Sequence, residues 1–164
     1  MNTCTLRFAE KTDMDAVLAL IQELADFEKE PEAVVITEND LQRDGFGSTP
    51  KFKCIVAEKV NKIVGMALFY PRYSTWKGAT LHLEDLIVAQ AHRGTGIGKS
   101  LYTAFIDYAE AQGVRRIEWV VLDWNTHAVN FYENSGADVL EDWRTVQMDQ
   151  AAMRRYLAKE NENI

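Results

Sequence analysis

The chain has 164 residues, 47% hydrophobic and 26% charged, which is the size and make-up of one globular domain. Its net charge of −7 argues against a nucleic-acid partner, which needs basic patches, and suits a cationic ligand. No apolar run approaches the ~20 residues of a membrane span. Met1 to Phe8 lacks the basic-then-apolar layout of a signal peptide, and Cys4 and Cys54 fit neither a disulfide framework nor a metal site. The expectation is a single domain over 1–164, cytoplasmic, with no membrane partner and no metal.

Thr5–Ala9 reads as a short strand. Thr12 or Asp13 then caps a helix on which Val17, Leu20, Ile21, Leu24 and Phe27 recur at helical spacing. Thr37 opens a second helix, with Asp40 three residues on in capping-box position, ending near Gly45-Phe46-Gly47. Phe52–Glu58 and Lys62–Tyr70 flank Lys59–Asn61 as a hairpin, and Thr80–Val88 is a further strand. Gly96–Gln112 is a long helix stopped by Gly113. Arg116–Leu122 is a strand, Thr126–Asn134 a helix closed by Gly136, and Trp143–Met148 a last strand. A strand, a long helix and another strand make a parallel crossover after an antiparallel start. The fold class is therefore an α/β (α+β) sandwich, a mixed and mostly antiparallel sheet with helices on both faces.

The stretch from Val88 to Ser100 leaves a strand and opens a helix, where glycines let a ligand reach the backbone and free amides bind anions. A phosphate loop ending in Gly98-Lys99-Ser100 needs glycine where Arg93 stands, and a dinucleotide loop starting at Gly94 needs it where Lys99 stands. What fits is Arg-x-x-Gly-x-Gly, carried by Arg93, Gly96 and Gly98. This resembles the pyrophosphate loop of the GNAT superfamily of N-acetyltransferases. Asp44-Gly45-Phe46-Gly47, Tyr73 to Gly78, Leu83-Glu84-Asp85, Leu122-Asp123-Trp124-Asn125 and Phe131-Tyr132 stand around it in order. Together they resemble the spermidine/spermine (diamine) acetyltransferase family, in its thialysine acetyltransferase branch.

The resemblance implies acetyl-CoA as cosubstrate, with Gly94, Thr95, Gly96, Ile97, Gly98 and Lys99 cradling the pyrophosphate beside Arg93. It also implies that Leu86, Ile87 and Val88 bond the pantetheine arm, that Asn125 contacts CoA as well as capping its helix, and that the enzyme is a homodimer. Trp143 and the tail Met148–Leu157 offer apolar surface for such a pairing. The polyamine enzymes carry an acid and a proline where this chain has Ser74-Thr75, so a distal ammonium loses a partner. The substrate expected is a small cationic amine: thialysine, a lysine-like amine or a short diamine in preference to a polyamine.

An ammonium with pKa near ~10 must lose a proton before it attacks, and a departing thiolate gains from an acid of similar pKa. The resemblance gives Tyr132 the second task; read from residues alone, Tyr132 is a core ring against Phe131. Glu84 and Asp85 lie in an apolar strand, a costly place for carboxylates without pairing or function. As strand neighbours they are expected on opposite faces, with Glu84 the residue that the resemblance favours for binding the amine and relaying its proton. Asp85, Glu28, Trp76 and Glu141 complete the expected substrate contacts. His82 reads as structural, and neither cysteine has a basic neighbour that marks a nucleophile. Direct attack by the amine follows. A peptide acceptor, or a non-catalytic acetyl-CoA sensor, is the alternative.

Overall fold

Alternating apolar residues build a sheet that is buried on both faces. The computed structural model describes residues 4–161, so Met1, Asn2 and Thr3 of the N-terminal stretch and residues 162–164 lie outside it. The chain divides into two compact units, one up to Val120 and one from Val121.

In the first unit β1 (Thr5–Phe8), β2 (Lys53–Lys59), β3 (Lys62–Ser74) and β4 (Gly78–Val88) follow one another as antiparallel neighbours, and β5 (Ile117–Glu118) joins β4 in parallel. Cys54, Val56, Met66, Leu68 and Ile87 point to one face, where they meet Met14, Val17 and Leu20 of α1 (Met14–Phe27) and Leu41 of α2 (Glu38–Phe46). Ile55, Ala67, Phe69, Leu81 and Leu83 point to the other, against Ile97, Leu101 and Phe105 of α3 (Ile97–Ala111). The period of two along each strand produces this partition. Phe69 and Phe105 are fully buried with ring centroids 5.0 Å apart, and burial of each contributes roughly 1.5–3 kcal/mol.

The helix caps follow sequence rules. Thr37 Oγ1 accepts from Asp40 N–H at 3.2 Å while Asp40 Oδ2 accepts from Thr37 N–H at 3.0 Å. A 3-10 turn, Lys11–Asp13, precedes α1, and Asp13 accepts from Glu10 N–H at 2.7 Å and from Arg7 Nη1 at 2.7 Å. Asp13 thus caps the 3-10 turn and makes no side-chain cap bond to α1 itself.

Two strands differ from the sequence reading. The strand expected over Arg116–Leu122 pairs only at Ile117 and Glu118, opposite Leu81 and His82. Just beyond, β4 carries a bulge at Glu84, which turns its later residues away from β5. The strand expected at Trp143–Met148 is absent. In the unit from Val121 the described regular elements are α4 (Thr126–Asn134) and α5 (Gln150–Asn161), so its own unit offers that segment no strand among the described residues, and Val146 is 91% exposed. Strand preference expresses fit to a neighbouring pleated surface, and here none is present.

Candidate active site

Two features of β4 assemble the site in the first unit: the loop it feeds and the bulge within it. Gln90–His92 forms a 3-10 turn after the strand, and the chain then passes Arg93, Gly94, Thr95 and Gly96 into α3. Gly94 has φ +73° and Gly96 +86°, left-handed values that side-chain-bearing residues adopt only with strain. A Cβ built on either glycine meets nothing within 4 Å, so each faces open space. The first amides of α3, at Ile97, Gly98 and Lys99, have no intrahelical acceptor and carry the helix's partial positive charge. The open space and the outward-lying helix start suit an anion, and a side chain at Gly94 or Gly96 would project into that space. Val88 Cγ2 lies 3.7 Å from the position of a Cβ on Gly98, so the helix start seats directly on the strand end.

Beyond His82 the far edge of β4 pairs with no strand among the described residues, Leu86 and Ile87 included. Val88 differs, because its carbonyl already accepts from Arg93 Nε at 2.8 Å. The Arg93 guanidinium also sits 3.4 Å from Glu23 Oε1 and over the Phe27 ring at 5.5 Å. Arg93 therefore braces the loop with its side chain.

The bulge overturns the expectation that Glu84 and Asp85 face apart. Leu83 pairs with Phe69 but Asp85 pairs with Leu68, leaving Glu84 as the extra residue. Tyr70 Oη donates to Glu84 Oε2 at 2.6 Å, and the Tyr70 ring stacks on His82 at 5.2 Å. Tyr70 shares the α1 face with Leu68, so both carboxylates turn to that face. Burial, then the charges of Glu84 and Glu28, raise Asp85 to about 6. Burial likewise raises Glu28, at the C-terminal cap of α1. Glu28, Glu84 and Asp85 thus share one electrostatic environment. Burial, reinforced by Glu84, pushes the Tyr70 hydroxyl up to about 12 and keeps it a proton donor. His82 Nε2 is 3.6 Å from Glu84 Oε2, beyond hydrogen-bond range, and its buried Nδ1 has no hydrogen-bond partner among the described residues.

Other expected contacts stand elsewhere. Trp76 is 79% exposed at the β3–β4 turn, where Ser74 Oγ accepts from the Trp76 and Lys77 amides at 3.2 Å each. Ser74 pairs with Gly78, six residues before Glu84, or roughly 20 Å along a strand. Within one chain, neither Ser74 nor Trp76 meets the carboxylates. In the second unit Asn125 Oδ1 accepts from Ala128 N–H at 3.3 Å as the cap of α4. Tyr132 lies in the last turn of α4, its ring 5.4 Å from Phe131, and Gly136 at φ +92° follows the helix end. Glu141 is exposed in a turn. Sequence reasoning missed Tyr70 and Glu23, since a cross-strand pair and a helix-to-loop bond 67 residues apart leave no local signal.

A strand opening into a glycine cradle at a helix N-terminus, with carboxylates on the preceding strand, is the architecture of an acyl-CoA-dependent transferase. The Acetyltransferase (GNAT) family model matches residues 16–137, and the chain belongs to this family. A thialysine N-epsilon-acetyltransferase of Bos taurus is 38% identical over 94% of this chain and 97% of its own. An integron cassette protein from the mobile metagenome of V. cholerae superposes with a TM-score of 0.77 at 22% identity, over 97% of this chain and 99% of its own. An aminoglycoside N-acetyltransferase solved in complex with CoA gives 0.70 at 17% identity, over 89% and 95%. The last two likenesses establish the fold.

Proposed function

We propose that the protein acetylates the primary amine of a small aliphatic cation, with thialysine, a lysine-like amine or a short diamine as substrate. Three carboxylates carry this reading: Asp85 is largely buried, and the nearby charges of the more exposed Glu84 and Glu28 add to its cost of ionising, a concentration of negative charge that a cation would relieve. The likeness to the Bos taurus thialysine enzyme supports the same substrate class. When bound, acetyl-CoA supplies the thioester carbonyl and the thiolate leaving group. Gly94, Thr95, Gly96, Ile97, Gly98 and Lys99 would hold its pyrophosphate through backbone amides, and Leu86 and Ile87 its pantetheine arm. Glu84, held by Tyr70, receives the substrate ammonium. The proton leaves through the Glu84–Asp85 pair, whose raised Asp85 suits proton exchange near neutrality. By the family likeness Tyr132 supplies a proton to the departing sulfur, Asn125 caps its helix, and Glu141 contacts the substrate.

Both units then serve one acetyltransferase domain working in the cytoplasm, where the buried thiol of Cys54 suits a reducing compartment. Pairing into a homodimer is supported by exposed Trp143, Met148, Tyr156 and Leu157. CoA release, measured over thialysine, lysine, a short diamine, spermine and an N-terminal peptide, tests the function. Thialysine or the diamine should exceed spermine about ten- to a hundredfold in kcat/KM, the worth of one charge-assisted contact. A preference for spermine overturns the substrate assignment, a preference for the peptide replaces it with protein acetylation, and no release with any amine leaves a sensor.

A further inference from the structure

Glu23 lies on α1, outside every motif of the glycine loop, yet its carboxylate reaches the loop at two points. Oε1 accepts from the backbone N–H of Gln90, the first residue of the 3-10 turn, at 2.7 Å, and lies 3.4 Å from Arg93 Nη2. Arg93 in turn donates through Nε to Val88 O at 2.8 Å. The bonds Thr95 Oγ1 to His92 O and Ser100 Oγ to Gly96 O stay within the loop and helix start. Glu23 thus ties α1 to the segment between β4 and α3 by a side-chain bond to each end of the 3-10 turn.

We infer that Glu23 is a positioning residue for the cofactor cradle, acting through Gln90 and Arg93, and the inference rests on the acetyl-CoA site proposed above. The cradle needs two left-handed glycines, Gly94 and Gly96, which are the residues that lose the most conformational freedom when fixed. A loop of that kind binds well only if its shape is set before the ligand arrives. Glu23 sets it at the first turn: one carboxylate satisfies an amide that opens the 3-10 turn and orients the guanidinium spanning back to Val88. Glu23 also stands five residues before Glu28 on α1, so the helix that carries an acceptor-side carboxylate is the one that braces the cofactor loop.

Calorimetric titration with CoA separates this inference from the reading beneath it. The unmodified chain should bind CoA, and Glu23→Ala should bind about tenfold more weakly on the scale of a lost charge-assisted hydrogen bond. Its melting temperature and its KM for the amine should stay near those of the unmodified chain. Glu23→Gln keeps an acceptor for Gln90 N–H but loses the charge facing Arg93, and should recover part of the affinity. Amide hydrogen exchange over residues 90–96 should quicken in ligand-free Glu23→Ala, a change that a purely cofactor-side contact would not produce. Unchanged CoA affinity in folded Glu23→Ala, or in Glu23→Gln should the alanine variant not fold, overturns the inference alone. An unmodified chain that fails to bind CoA overturns the cofactor site and the inference together.

Discussion

The carboxylate pair lies on β4 and the glycine loop follows the end of that strand, yet they are built from different materials. The loop is a backbone feature: Gly94 and Gly96 hold left-handed values, the first α3 amides have no intrahelical acceptor, and the side chain of Arg93 bonds back to Val88 O. The carboxylate pair is a side-chain site whose properties come from burial, from the extra residue at Glu84 and from the Tyr70 bond. A backbone site tolerates changes of side chain but not of glycine. A side-chain site depends on the register of its strand and on what its neighbours exclude from water.

The sharpest way to break this contrast is Gly96→Val. A branched side chain would fill the cradle and strain a residue at φ +86°, so acetyl-CoA affinity should fall by about a hundredfold or more while circular dichroism reports the same fold. Unchanged affinity in calorimetry would remove the cradle from the cofactor site.

Tyr132→Phe tests the proposed proton donor, which belongs to neither region. The turnover number should drop by about a hundredfold, with acetyl-CoA affinity little altered. Retained turnover under single-turnover conditions returns Tyr132 to a packing role beside Phe131.

Asp85→Asn separates function from stability within the side-chain site. Its carboxyl is raised from 3.8 to about 6, so the protonated form favours the folded state below about pH 4, and that contribution is lost as pH rises through about 6. At pH 7.5 the ionised group is a cost, and Asp85→Asn should stabilise the fold by on the order of 2 kcal/mol. The gain should vanish near pH 4 in denaturant titrations. The acidic limb of kcat/KM near pH 6 should disappear along with most of the activity. A variant no more stable than the parent at pH 7.5 would show that Asp85 is better solvated than its surroundings indicate.

Tyr70→Phe has the smallest effect and gives the finest test. It keeps the ring on His82 and frees Glu84, so KM for the amine should rise roughly five- to tenfold, the scale of one hydrogen bond to a charged group, with acetyl-CoA affinity unmoved. An equal loss in both affinities would mean that Tyr70 supports the whole sheet edge rather than one carboxylate.

The sequence by itself determined the parts whose physics is local. Thr37 and Asp40 announce the start of α2 because a capping box needs only residues three apart, and Val17, Leu20 and Leu101, Phe105 mark the buried faces of α1 and α3 through helical spacing. The glycine loop was legible for the same reason, since glycine at fixed intervals reports directly on backbone conformation. Only the tertiary structure decided the rest. The bulge at Glu84 depends on how β3 and β4 register, and one inserted residue reverses which face every later side chain takes; that is why two carboxylates expected apart share an environment. Trp143–Met148 had the composition of a strand but found none among the described residues of its own unit, and pairing is a property of the neighbour as much as of the segment. The bond from Glu23 to Gln90 crosses 67 residues of chain, a distance over which composition and periodicity carry no information.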